Sequence, residues 1–295
     1  MACSLEDTRP IGSPTGGDAG GGHETGKQDK EMTPTEPLDI LYRDDQLVVV
    51  NKPPGLMVHR SRLAGKKERF VLQLLRDQIG RRVYPVHRLD KPTSGALLFG
   101  LDPRTARTMA DRFARRQVAK IYLAVVRGYL DAHGEVSIPL RADVYRRRDD
   151  AELKSARTRF VRLGRIEVPR PVGPYATARY TLLQVNPETG RMHQIRRHLR
   201  DIAHPVVGDR RYGDSRHNRY FKEELGCRRL LLAAVELGFA HPETENTISV
   251  SAPLGPRFAG VLKRFGWIDA LPLRWRPPAG AVDRCKNAFS LPGDG

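Results

Sequence analysis

Six short runs, at residues 47–51, 96–101, 121–127, 178–185, 230–236 and 247–251, constrain the fold more than anything else in the chain. Each is rich in aliphatic or β-branched residues and is flanked by turn-forming or polar sequence. Helical patterns lie between them. The best defined opens at Asp102-Pro103, with Asp at the N-cap and Pro at the first helical position. Ala106, Met109, Ala110 and Phe113 then recur at spacings of three and four, before Arg115-Arg116 meets the negative pole of the helix. Strands outnumber connecting helices, so the expected architecture is α+β, a mixed but largely antiparallel central sheet with flanking helices. No internal repeat or long polar linker divides residues 38–272, which are expected to form one domain. Residues 1–37 are dominated by Gly, Pro, Ser, Thr and charged residues and bury too little to offset the entropy of ordering, so a disordered tail is expected there. The segment 273–295 has no apolar period and is expected to be loose.

The formal charge is +17. Residues 1–37 hold seven acidic and three basic residues, so the remainder carries +21. Such an excess suits a polyanionic partner, because each Lys or Arg that meets a phosphate releases condensed counterions; the alternative is a solvated basic surface. The three cysteines, Cys3, Cys227 and Cys285, are widely separated and contain no C-x-x-C pair, which argues against a disulfide framework or a zinc knuckle. With no apolar leader and no run of membrane-spanning length, the chain is expected to work in the cytoplasm without a membrane partner.

The chemistry concentrates at Val86-His87-Arg88-Leu89-Asp90-Lys91-Pro92-Thr93-Ser94-Gly95, where one carboxylate sits between two cations in a turn-rich segment. Opposite charge nearby favours the ionised form that a nucleophile requires. A turn aspartate paired with Arg88 would read the same way from these residues alone. The decapeptide resembles the H-R-L-D-x-x-T-S-G signature of the RluA-type pseudouridine synthases, enzymes that isomerise uridine in RNA. That resemblance implies a sheet crossed by a basic active-site cleft, with Asp90 as the catalytic nucleophile. The reaction breaks the bond from ribose C1′ to uracil N1 and rejoins C1′ to C5. It formally requires no cofactor and no metal, and the chain has no phosphate-binding Gly-rich loop, H-E-x-x-H helix or paired thiol ligands.

Two further segments resemble the same family. Ala119-Lys120-Ile121-Tyr122 is similar to its K-x-Y strand, in which Lys120 and Tyr122 share a face. The resemblance implies that Tyr122 packs on the base and offers its hydroxyl as a hydrogen-bond partner or a base; the strand alone reads equally as a core aromatic. Gly190-Arg191-Met192-His193-Gln194-Ile195-Arg196 is similar to G-R-x-H-Q-[IL]-R. If a helix starts at Met192, then Met192, Ile195 and Leu199 form its buried stripe, Arg196 lies on the edge, and Arg197 and Arg200 face phosphate or solvent. The resemblance supplies Asp90 as the partner of Arg196. It also implies substrate contacts from His87, Arg88, Lys120, Arg191, His193 and Gln194, with Arg88 serving the displaced nucleotide. His193, His198 and His204 lack companion ligands at a recognisable metal spacing, and 204–209 is read as scaffold.

One position departs from the family pattern: Ala233 stands in the strand Arg229-Leu230-Leu231-Leu232-Ala233-Ala234 where a histidine is usual. The similarity starts at Leu38, leaving no room ahead of it for an S4-type RNA-binding module, so RNA selection is expected from the basic face of the catalytic domain. Val58-His59-Arg60-Ser61, Arg76-Asp77-Gln78-Ile79-Gly80, Arg219 and Phe265-Gly266-Trp267 resemble the branch that modifies the acceptor-stem region of tRNA. The expected partner is therefore tRNA, with no obligate protein partner. Ribosomal RNA, or a non-catalytic role in RNA binding and assembly, are the alternatives.

Overall fold

A computed structural model describes residues 37–59, 69–142 and 152–278. The N-terminal tail, Arg60, Ser61 and the charged run at 146–150 lie outside the described residues. In chain order the elements are β1 (Asp39–Arg43), β2 (Leu47–Lys52), α1 (Val71–Ile79), β3 (Tyr84–Pro85), β4 (Ser94–Gly100), α2 (Pro103–Ala114), β5 (Ala119–Arg127) and β6 (His133–Val136). They continue with β7 (Leu140–Arg141), β8 (Leu153–Lys154), β9 (Thr158–Val168), β10 (Ala178–Pro187), α3 (Gln194–Asp201), α4 (Ser215–Glu223), β11 (Leu232–Ala240), β12 (Thr247–Ser251) and α5 (Pro256–Arg264). All six expected strand runs are strands, and α2 opens as expected: Asp102 Oδ1 accepts the Thr105 N–H at 2.9 Å with Pro103 at the first helical position.

Ten strands form one sheet in the order β1-β2-β4-β11-β5-β10-β9-β6, with β3 on β4 and β12 on β11. Among these strands only β4 and β11 run parallel, through Ser94–Ala233 and Gly95–Ala234; the remaining pairings are antiparallel. This is the expected mixed sheet, and its parallel seam lies next to Asp90. Gly95 is required at the seam. Its φ is +113°, and a Cβ would stand 2.0 Å from the Ala234 carbonyl oxygen.

Both halves of the sheet are covered on two faces, which is why the central strands read as continuous apolar runs rather than alternating ones. Val48, Val50, Leu97 and Phe99 pack with α1 residues Val71, Leu74 and Leu75, while the intervening Leu47, Val49, Ala96 and Leu98 pack with Ala106 and Met109 of α2. Across the seam, Leu123, Val125, Tyr180 and Leu182 pack with α4 and α5 through Phe221, Phe258, Val261 and Leu262. Their opposite face, Ala124, Val126, Leu183 and Val185, packs with Ile195 and Leu199 of α3.

Two expectations need correction. Packing continues past Pro272: Trp275 is buried in the core, its indole N–H donates to Glu236 at 2.9 Å, and its carbonyl accepts from Leu254 N–H. A single buried ring, Trp275, anchors the segment, and one isolated apolar residue leaves no periodic pattern in the sequence. The second correction concerns α3, which starts at Gln194 rather than Met192 because His193 takes a left-handed backbone (φ 54°). Ile195 and Leu199 are buried but Met192 is only partly so. Arg197, expected to face phosphate or solvent, is buried, and its Nη1 donates to the carbonyls of Arg141 and Met192.

Candidate active site

The loop before β4 carries Asp90 and is fixed by its own backbone. Thr93 N–H donates to the Asp90 carbonyl at 3.0 Å, and Gly55 N–H donates to the Lys91 carbonyl at 2.8 Å. Lys52, fully buried at the end of β2, reinforces the loop by donating to the carbonyls of Pro53, Leu56 and Lys91 at 2.9, 2.8 and 3.2 Å. Burial holds its ammonium down to about 7; repulsion from Arg229 and Lys91 acts in the same direction and Asp90 against it. On the strand side, buried Arg229 donates to Ser94 Oγ at 2.7 Å. Every residue from Asp90 to Gly95 is thus tied to a neighbour or shaped by its backbone, apart from the exposed turn around Pro92.

Arg196 reaches this loop from α3. Its Nη1 donates to Asp90 Oδ2 at 2.9 Å, while Nε and Nη2 form a side-on pair with Asp209 at 2.7 and 2.9 Å. Asp209 is buried and also accepts the N–H groups of Arg211 and Tyr212 at 2.9 and 3.0 Å. Burial alone would raise its carboxyl pKa, but the hydrogen bonds and charge of Arg196, together with the two backbone donors, hold it below the ordinary range. Burial likewise works against the Arg196 charge, and the two carboxylates more than offset it. Because Oδ2 of Asp90 is taken by Arg196, Oδ1 is the oxygen turned to other groups. His193 Nε2 stands 3.8 Å from it. The other nitrogen of His193, Nδ1, is 2.9 Å from the Tyr212 hydroxyl, and burial lowers the His193 pKa despite Asp90. The face of Tyr212 in turn receives the Arg196 guanidinium at 5.1 Å.

These groups open into a cavity of about 580 Å³ whose lining includes Asp90, Tyr122, Arg196, His87, Arg88, Lys120, Arg191, His193 and Gln194, all nine of the residues picked from the sequence. Among the described residues, five cations line it (Arg88, Arg116, Lys120, Arg191 and Arg196) and Asp90 is its one acid. Lys120 and Tyr122 face it together, as alternate residues of β5 should. Burial, followed by the Asp90 charge, raises the Tyr122 phenol, so a protonated hydroxyl stands in the cavity wall near neutral pH. Burial and then Arg116 lower Lys120 to about 8.

Two of the nine lie in the wall and already hydrogen-bond to the protein. His87 accepts the Leu98 N–H on Nε2 at 3.1 Å and stacks on Phe113 at 4.4 Å, and burial lowers its pKa to about 3. Gln194 accepts from Thr189 and Arg191 and donates to Arg157 and Thr158, which uses both ends of its amide. Arg88 is exposed and forms no ion pair with Asp90 among the described residues, so the turn-aspartate alternative fails: Asp90 is paired with Arg196, 106 positions away.

Sequence reasoning missed Lys52, Asp209, Tyr212 and Arg116. Lys52 precedes Pro-Pro-Gly at the end of a strand, a turn signal with a cation attached. Asp209 sits in the 204–209 turn that had been read as scaffold, and Tyr212 and Arg116 carried no local signal. Ala233 is buried between Ser94 and Leu123 and is not among the cavity-lining residues. Among the described residues, no three His, Cys, Asp or Glu side chains cluster as metal ligands, and no helix is long and apolar enough to cross a membrane.

A clamped carboxylate in a cavity rich in cations, at the seam of a mixed sheet, defines a site for a polyanionic substrate. The chain belongs to the RNA pseudouridylate synthase family, whose model matches residues 46–201. It is 46% identical over 234 residues to the tRNA pseudouridine synthase C of Haemophilus ducreyi, covering 78% of this chain and 96% of that protein. It is 43% identical over 239 residues to the protein of the same name from Vibrio cholerae, covering 79% and 98%. Among solved structures, human RNA pseudouridylate synthase domain containing 1 is similar with a TM-score of 0.58 and 27% identity, over 76% of this chain and 87% of that one.

Proposed function

We propose that the protein isomerises uridine to pseudouridine in the acceptor-stem region of tRNA, with Asp90 as the nucleophile. The observation that carries this reading is the chain Asp209–Arg196–Asp90, which fixes one carboxylate oxygen and leaves Oδ1 turned away from the guanidinium. In the overall reaction the C1′–N1 bond breaks, the uracil turns, C1′–C5 forms, C5 loses its proton, and N1 ends with one, so atoms and charge balance. Redox equivalents and group donors cancel out of that balance. Asp90 acts on the nucleotide as the glycosidic bond breaks, and Arg196 keeps it oriented. Tyr122 contributes a ring wall for the base and a neutral donor, while the cavity retains the detached uracil for the second bond. Arg88, exposed at the rim, serves the extruded nucleotide, and Arg191 and Lys120 serve its phosphates. The tRNA assignment is supported by the names of the relatives at 46% and 43% identity. The protein works in the cytoplasm, and the reaction calls for no obligate protein partner.

The test is to incubate purified protein with unmodified tRNA labelled with tritium at uracil C5, follow tritium release, and map the new pseudouridine. Wild-type protein is expected to release label from one acceptor-stem uridine, and Asp90→Asn to release none while still binding tRNA. Tritium release by Asp90→Asn would refute the nucleophile. Modification of ribosomal RNA with tRNA untouched would refute the substrate.

A further inference from the structure

Helix α4 has two chemically opposed faces. His217 and Phe221, spaced i and i+4, are buried against the core with Tyr220 beside them. Ser215, Asn218, Arg219 and Lys222, spaced i, i+3, i+4 and i+7, form the other face, and all four line a groove of about 420 Å³. The opposite wall is the loop from Gly208 to Gly213, which contributes Arg210. Arg228 completes a set of four cations among the described residues, where Glu223 is the one acid in the lining besides Asp209, whose charge Arg196 already neutralises. Arg210, Arg219 and Lys222 are exposed and make no ion pair among the described residues. None of the groove-lining residues also lines the catalytic cavity.

The two walls are held in a fixed relation. Asn218 accepts the Gly208 N–H on Oδ1 at 2.7 Å and donates Nδ2 to the Asp209 carbonyl at 2.9 Å, which pins α4 to the loop. The groove therefore presents its cations from a braced frame, and that frame is the same loop whose Asp209 carboxylate holds Arg196.

We propose that this groove binds the phosphodiester backbone of the RNA substrate at a point separate from the target uridine, through Arg210, Arg219 and Lys222. The inference rests on the RNA-modifying reading and adds to it a second contact that sets affinity. Three cations in one groove suit successive phosphates, and a hydroxyl at Ser215 adds a neutral donor. Phosphate contacts position a nucleic acid and give binding its salt dependence without reading its sequence.

The test compares full-length protein carrying Asp90→Asn, so that no turnover occurs, with the same protein also carrying Arg210→Gln, Arg219→Gln and Lys222→Gln. Dissociation constants for unmodified tRNA are measured from 50 to 200 mM salt. Losing three phosphate contacts should make the slope of log K against log salt shallower by about 2 to 3, so the ratio of the two dissociation constants should shrink roughly 30-fold across that range. A control that removes the same charge elsewhere, Arg43→Gln, Arg104→Gln and Arg107→Gln, should change the slope little. With Asp90 restored, the groove triple variant should raise KM for tRNA and keep kcat at saturating substrate. Equal slopes in the groove variant and its parent, or an equal loss in the control, overturns the groove. If the Asp90 enzyme forms no pseudouridine in any RNA, the functional reading fails instead, and the binding slopes still decide whether the groove contacts phosphate. Thermal melting confirms that the variants are folded, as expected for exposed positions.

Discussion

Replacing Asp209 by Asn removes one charge from the interior and leaves the guanidinium of Arg196 with only Asp90 as a charged partner. In the wild-type protein three charge-assisted hydrogen bonds share that guanidinium, two of them to Asp209. The Asn amide can still accept one of them, but its NH2 group then faces a guanidinium N–H, donor to donor. Breaking one side of a buried ion pair costs about 3–5 kcal/mol, since the remaining charge is left uncompensated. For a chain of this size that corresponds to a drop in Tm on the order of 10 °C. Catalysis should fall separately. If the loosened Arg196 forfeits one charge-assisted bond to Asp90, about 1.5–3 kcal/mol is lost, which is roughly 10- to 100-fold in rate. The assay is single-turnover tritium release with enzyme in excess, together with thermal melting of the same preparation. The pH dependence gives a further check. The folded pKa of Asp209 is depressed, so its contribution to stability is fully present above the ordinary carboxylate value of about 4 and is lost as pH falls through the folded value. The Tm gap between wild type and Asp209→Asn should therefore hold steady at neutral pH and close only in acid. An Asp209→Asn protein with wild-type turnover and an unchanged Tm would refute the role of this carboxylate.

Tyr122→Phe keeps the ring and loses the donor, so kcat should drop about tenfold, the worth of one neutral hydrogen bond, with the shape of its pH profile unchanged. Loss in Tyr122→Phe of a limb on which activity rises with pH would instead make Tyr122 the base. Lys52→Met should lower stability and remove a pH effect. The folded pKa of Lys52, about 7, lies below the unfolded value, so the wild-type protein gains stability as pH rises from about 7 toward 10. Urea midpoints at pH 7 and pH 9 should differ by more in the wild type than in the variant. Gly95→Ala places a methyl group against the Ala234 carbonyl, and the expected outcome is insoluble or inactive protein, checked by expression and melting. A fully active Gly95→Ala enzyme would show that the seam can move.

Much of the fold could be read from the sequence because its central strands are covered on both faces. Residues 47–51 and 96–101 are apolar almost without interruption, and that signal survives without any knowledge of pairing. β9 escaped notice for the opposite reason. It alternates buried and exposed only from Thr158 to Val161, then carries Arg162 and Arg165 through a half-buried stretch where its register with β10 shifts at Leu182/Leu183, so the alternation is blurred. The candidate site residues are legible as motifs, each a local string. Asp209 was not, because what makes it matter is a guanidinium on another element. Arg197 was misjudged through a two-residue error in where α3 begins, since nothing in the string at 190–196 announces a left-handed backbone at His193.

The parallel pairing of β4 with β11 also bears on how the enzyme comes into being. The chain leaves the seam at Gly100 and returns at Leu232, so the partner of the Asp90 strand is made late in synthesis. Pairings between distant segments carry a loop-closure cost and form slowly. Before that return Gly95 has no partner on that side of β4, and Arg229 is not yet present to hold Ser94. A polypeptide still emerging from the ribosome is surrounded by RNA rich in uridine, and its Asp90 loop lacks the strand that completes it. Competence to modify RNA thus arrives only when nearly the whole domain has been made.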